Sequence, residues 1–290
     1  MKSKWLLIGL AGLILLLAWG CEKSPTGIDF DTDEEALQQY VIDNPDGYFS
    51  CDDHYGLEDT TTVENETKGE KRYTLWWRMP TDIERDITIH IENDSAFVTF
   101  SAEVTGVFNL LVWDTLPPDT IINHPKEMHE NFVRYAIFKH YSNVSKYRGW
   151  KLEKVTGVDI TSDPNTVEID SVRIKSDSYG ETVITQSLEF FGRDEILTFH
   201  PDEEVTLTVY SADSIYPFLH ARGRNFSLRR WWRWRFRKVE DGVWELTWRT
   251  PLRNLRIRPL IFDILHKDTI DDNEYQYDSK AWIFPYRIVE

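Results

Sequence analysis

The sequence predicts a mainly β protein in two parts: an α+β domain with one N-terminal helix packed on a curved antiparallel sheet, then an all-β sandwich. Three observations predict it. A capping box and a helical stripe lie between Thr32 and Val41, period-two alternation of apolar residues sets in at Ile87, and the chain beyond residue 166 breaks into short strand-like runs without a helical period.

The elements follow from the N-terminus. Met1-Lys2-Ser3-Lys4 is basic, residues 5–17 are apolar or small, and Leu17-Ala18-Trp19-Gly20-Cys21 ends the run on a cysteine. This is the layout of a secretory signal, residues 1–20. The run is shorter than the ~20 residues of a spanning helix, which ranks an uncleaved anchor below cleavage. With its placed cysteine the segment resembles a bacterial lipoprotein signal. The resemblance implies cleavage before Cys21 and lipidation of its thiol with several acyl chains. It also implies export to a membrane-anchored position at the periplasmic face or cell surface, in a Gram-negative host the outer membrane ahead of the inner. Each buried methylene adds about 0.8 kcal/mol, so several chains hold durably. Residues 21–32 are then the lipidated cysteine and a polar tether containing Pro25 and Gly27.

Residues 33–160 form the first domain. Thr32 and Glu35 cap a helix with Ala36, Leu37, Tyr40 and Val41 on one face, ended by Asn44-Pro45. Residues 48–69 stay open between a second short helix and a loop. Ile87, Ile89 and Ile91 alternate with polar residues, Asn93-Asp94 turns the chain, and Val98, Phe100, Ala102 and Val104 return on one face. Residues 107–113 read as a continuous apolar strand. Pro117-Pro118 opens a loop, with a short helix expected near 126–131 and strands at 132–141 and 150–155. A helix before a curved sheet, Arg134 opening one strand and Gly149-Trp150-Lys151-Leu152 the next, resembles the cone-shaped domains related to nuclear transport factor 2 and ketosteroid isomerase. The resemblance implies a strongly bent sheet whose open mouth holds an apolar ligand. Some members use a pocket Asp or His as a general base; no residue here is marked for that role.

Residues 161–166 (TSDPNT) are a polar, proline-bearing linker. Beyond it strands are expected at 167–175, 182–191, 204–210, 218–222, 231–239, 243–248, 255–266 and 281–289. The stretch FHPDEEVTLTV, 199–209, resembles the second strand of bacterial immunoglobulin-like and fibronectin-like modules, which implies such a sandwich over 167–290. Pro251, Pro259 and Pro285 are expected at edges or bulges. No fixed repeat points to a propeller or solenoid.

Charge is uneven along a chain of net −16. Residues 22–149 hold 11 Lys+Arg against 25 Asp+Glu, whereas 222–258 hold 12 against 3. An acidic half and a basic stretch suit docking on each other or an anionic partner. With Cys21 lipidated, only Cys51 remains and no intramolecular disulfide can form.

The basic stretch centres on residues 229–238, RRWWRWRFRK. As a strand it puts Trp232, Trp234 and Phe236 on one face and Arg233, Arg235 and Arg237 on the other. Glu240-Asp241-Gly242 turns it, and Trp244, Leu246 and Trp248 return. The plainer reading is a hairpin with tryptophans in the core and a solvated arginine face. The sharper one is a face for an anionic glycan or lipopolysaccharide; nucleic acid is disfavoured by the overall negative charge. His124 and His129 stand five apart, not at the i, i+4 spacing of a helical zinc site, and read as a surface loop. Cys51, Asp52, Asp53 and His54 read as an exposed acidic loop. The carboxylates at 29–35 and 268–278 lack an EF-hand pattern. There is no Gly-x-Ser-x-Gly, no Cys with a recognisable partner His and no phosphate loop. The expectation is a lipid-anchored envelope protein that binds or scaffolds, with no catalytic residue, metal or cofactor assigned. The alternatives are a small-ligand carrier or enzyme with a pocket in 33–160, and an anionic-glycan binder using hairpin 229–249.

Overall fold

A computed structural model describes residues 30–49, 63–67, 70–114, 120–223, 232–253 and 255–290. The expected signal, Cys21, Cys51, His54 and residues 224–231, with Arg224, Arg229 and Arg230 of the basic stretch, lie outside them.

The first element among the described residues is α1 (Asp33–Asp43). The Thr32 hydroxyl accepts from the Glu35 N–H at 3.1 Å, and the Glu35 carboxylate accepts from the Thr32 N–H at 3.4 Å, so the capping box forms as expected. Asn44, at φ 43°, ends the helix in the left-handed region before Pro45.

A meander follows: β1 (Val63–Thr67), β2 (Glu70–Glu92), β3 (Ser95–Asp114) and β4 (Thr120–His140), all antiparallel. At ~3.3 Å per residue, the 20 residues of β3 trace about 65 Å. A bulge between Pro80 and Asp82 bends β2 opposite Gly106 and changes which residues face inward. Before it Thr74, Trp76 and Arg78 are buried; after it Ile83, Ile87, Ile89 and Ile91 pack inward. A Cβ on Gly106 would lie 2.4 Å from the Met79 carbonyl oxygen, so glycine is required for the strands to close over the bulge.

The chain continues through β5 (Trp150–Val155), β6 (Val158–Ser162), β7 (Ile169–Ser176), β8 (Gly180–Ile184), β9 (Phe191–Gly192) and β10 (Leu197–Phe199). Then come β11 (Glu204–Ser211), β12 (Ile215–Ala221), β13 (Trp232–Arg235), β14 (Arg237–Glu240), β15 (Val243–Arg249), β16 (Leu255–His266), α2 (Lys267–Asp271) and β17 (Ser279–Ile288). They form two sheets. The larger runs β1-β2-β3-β4-β6-β17-β16-β12-β13, with β5, β9 and β10 attached; the smaller runs β14-β15-β11-β7-β8. Pairing is antiparallel apart from β10 on β17.

The described residues pack into three hydrophobic clusters. α1 packs Ala36, Leu37, Tyr40 and Val41 on one end of the concave β2–β4 face, Tyr40 meeting Phe138 edge-on at 5.0 Å. The other end packs Trp76, Phe108, Leu110 and Phe132 against Phe218, Ile261, Leu265 and Ile283. On their opposite face β12, β16 and β17 turn Leu219, Phe262 and Phe284 toward Val172, Leu207 and Trp248 of the smaller sheet. The three central strands are therefore covered on both sides, which is why they read as nearly unbroken apolar runs.

Several sequence expectations change. Residues 126–131 are strand, not helix: Lys126, Met128 and Glu130 are buried and alternate with more exposed neighbours, a period of two. The 161–166 linker does not part the chain, because Thr161 and Ser162 belong to β6, which pairs with both β4 and β17. The halves 33–160 and 167–290 thus share one sheet. The expected strand 182–191 is cut back to β8, and 231–239 is interrupted at Phe236. Pro259 and Pro285 face each other on inner strands rather than at edges. Pro285 falls in a gap: pairing of β17 with β6 stops at Ile283 and that with β10 starts at Tyr286, so its missing N–H breaks no ladder.

Candidate functional site

The three arginines proposed as an anionic-ligand face do not share a surface. β13 lies beside β12, with Arg233 opposite His220 and Arg235 opposite Phe218. Trp234 and Phe236 pack toward the core between the sheets, as alternation predicts, whereas Trp232, stacked on Trp234, stays exposed rather than joining the core. The other face is not solvated, because the larger sheet curls until β2 covers it. Arg233 is 3% exposed, its guanidinium carbon 3.5 Å from the Trp76 ring centre, and it donates to the Trp76 carbonyl at 3.1 Å. Arg235 is half-buried over the Tyr216 ring at 4.0 Å. Arg237 is exposed but stands on β14, in the smaller sheet. A desolvated cation over an aromatic face is worth ~2 kcal/mol, a reason to keep Arg233 inside.

Next to Arg233 lies a concentrated set of buried ionisable groups. Arg78 on β2 holds Asp263 on β16 through two hydrogen bonds of 2.8 and 2.9 Å, and its Nε donates to the Tyr277 hydroxyl at 2.7 Å. Glu130 on β4 is 3.3 Å from the same Nε and accepts the Tyr277 hydroxyl proton. The Ser279 hydroxyl lies 2.7 Å from that of Tyr277, and His220 Nε2 lies 2.9 Å from Asp263. All six are buried. Five elements meet there because the curled sheet brings β2 and β4 over β12, β16 and the start of β17. Burial raises the Asp263 pKa, but the Arg78 charge and the His220 hydrogen bond prevail and hold it at about 2. Burial lowers the His220 pKa, Asp263 opposes this, and the Arg233 and Arg78 charges reinforce it, keeping the imidazole neutral. Burial drives the Tyr277 phenol well above its ordinary value. The Ser279 hydroxyl bonds Tyr277 and Glu130 and does not reach His220, whose Nε2 faces Asp263.

A cleft of about 750 Å³ opens beside this cluster, walled by Thr105, Gly106, His129, Asp163 and residues 273–277. Lys126 closes its floor by donating to the carbonyls of Asp272 and Tyr275 at 2.7 and 2.6 Å. His129 is 2.6 Å from Glu103, and His124 is separate from it further along β4. Carboxylates of the two acidic stretches, 29–35 and 268–278, make contacts within the fold: Asp33 accepts from Arg148, Asp271 from the Tyr216 hydroxyl, and Asp278 from the Thr166 N–H. Among the described residues no group of three His, Cys, Asp or Glu is placed to hold a metal. The concave space in which a cone-domain pocket would open is filled by Trp76 and Phe108, ring centres 5.3 Å apart.

No protein-family model, curated protein or solved structure matches the chain.

The buried cluster escaped the sequence reading. Its signal was a charge inside an apolar run: Arg78 after Leu75-Trp76-Trp77, and Asp263 within Leu260-Ile261-Phe262-Asp263-Ile264-Leu265. An isolated charge in such a run is rarely buried without a partner.

Proposed function

We propose that this chain is a lipid-anchored bacterial envelope protein that binds or scaffolds rather than catalyses. The observation that carries the reading is the N-terminal sequence: a basic start, the apolar run 5–17 and Cys21 after Gly20. A tether of some ten residues, at most ~3.5 Å each, keeps α1 within about 35 Å of the bilayer. The cluster of Arg78, Asp263, Glu130, Tyr277 and His220 is spent on cross-strand contacts, which supports an interior staple over an active site. Among the described residues, which do not include the run 5–17, no helix is long and apolar enough to cross a membrane.

The proposal includes a finer reading of the fold. α1 on the concave end of β2–β4 fits a cone-like domain, and the smaller sheet facing β12, β16 and β17 fits an immunoglobulin-like sandwich, the two fused through β6. The small-ligand alternative loses support from the packing of Trp76 and Phe108, and the arginine-face alternative from the burial of Arg233.

Mass spectrometry of the mature N-terminus, wild type against Cys21→Ala, tests the anchor. The expected result is a diacylglyceryl adduct on Cys21, lost in the variant together with membrane attachment. An unmodified N-terminus on a membrane-free wild type would sink the reading.

A further inference from the structure

The two sheets part along one side of the sandwich. β8 ends the smaller sheet: residues 180–184 pair with 172–176 of β7, and among the described residues no strand pairs with its other edge. Val183 on this strand is 53% exposed. Behind β8, between it and β10 and β17, lies a cavity of about 180 Å³ lined by Thr182, Ile184, Phe190, Phe191, Leu197 and Phe284. An engineered apolar cavity of ~150 Å³ takes one benzene ring, so this space suits a single aromatic or branched aliphatic side chain. Pro285, in the gap between the pairings of β6 and β10, forms part of the wall. The charged side chains lining the cavity, Glu189 and Glu195, are both acidic, and both residues are exposed.

We propose that this seam binds an extended basic peptide segment of a partner protein, which adds a strand to β8 and seats one apolar side chain between the sheets. Main-chain hydrogen bonds to the open edge would supply affinity, and the pocket would read alternate side chains. Thr182 and Ile184 face the pocket, so the side chain of an added strand that points the same way enters it. Two carboxylates without a lining cation favour lysine or arginine at the flanks. The inference deepens the reading of this chain as a binding protein and does not depend on the lipid anchor.

The test is calorimetric titration of the mature chain with acetylated heptapeptides of alternating sequence, Thr-Lys-Val-Phe-Val-Lys-Thr and its leucine-centred twin, in which both lysines share the face of the central residue. Controls carry serine at the centre or glutamate in place of both lysines. The lysine-flanked phenylalanine and leucine peptides should bind about tenfold or more tighter than either control, and should slow amide exchange in β8. Glu189→Lys, a change on the exposed rim, should weaken binding to the same extent, and Thr182→Phe should block it by filling the cavity. Failure of both lysine-flanked peptides to bind at millimolar concentration, or binding indifferent to central residue and flanks, would overturn the proposal. So would indole binding as tightly as the peptides with β8 amides unprotected, which would make the cavity a small-molecule site. Loss of the anchor reading would appear as an unmodified Cys21 and leave these titrations unchanged.

Discussion

Arg78 joins more layers than any other side chain described above. It reaches from β2 to Asp263 on β16, to Tyr277 before β17 and to Glu130 on β4. A buried pair gains little over well-packed apolar residues, but removing one member leaves the other charged in a dry interior, at a cost of about 3–5 kcal/mol. Asp263→Ala should therefore lower unfolding stability by that amount in urea titrations, whereas Arg78→Met with Asp263→Leu should recover only part of it, because the buried Glu130 loses the same guanidinium. Equal losses in the single and double variants would show that the pair is not coupled.

The same cluster sets a dependence on pH. His220 is held neutral below its ordinary pKa of 6.5. As pH falls through 6.5 the unfolded chain gains a proton there that the folded chain refuses, so stability is full above that pH and declines below it. Asp263, at about 2 against an ordinary 3.8, adds a second loss as pH falls from 3.8 toward 2. Urea titrations across pH should show both limbs in the wild type. His220→Gln should flatten the upper limb; an unchanged upper limb would place that sensitivity elsewhere.

At the scale of elements, much was legible in the sequence and the misses have physical causes. The cap at Thr32 and Glu35, the turn at Asn93-Asp94 and the hairpin through Gly242 use chemistry that acts within a few residues, and all three are present. The strand at 126–131 was hidden because its inward positions are Lys126, Met128 and Glu130, and two charged residues do not look like a core face. Their burial rests on carbonyls and hydroxyls supplied by residues 272–277, contacts about 146 positions away. The arginine face failed for the same reason: alternation sorted Arg233 from Trp234 correctly, but only the curl of the sheet decides that β2 covers Arg233. The bulge at Pro80 and Gly106 is part of that curl. Gly106→Ala puts a Cβ against the Met79 carbonyl and the Pro80 Cα. It should cost about 1–3 kcal/mol, read as a lowered thermal midpoint by circular dichroism. Thr32→Ala, at an exposed cap, should cost only ~1 kcal/mol.

For the whole molecule, β6 matters most. A polar stretch with a proline looks like a linker when only neighbouring residues are weighed, yet β6 lies between β4 and β17 in one sheet. Cutting the chain at 161–166 would expose Phe132, Ile160 and Ile283 in the core they share. Residues 33–160 produced alone should consequently fail to give the sharp, dispersed spectra of a folded domain. The staple at Arg78 spans the same junction, joining β2 and β4 to β16 and residue 277. The most direct test is native-state hydrogen exchange of the mature chain across increasing denaturant. The slowest amides of β3, β4, β6, β16 and β17 should merge into one opening with a single free energy and a single denaturant slope. Two separate openings, one confined to 33–160 and the other to 167–290, would contradict it and restore two independent domains.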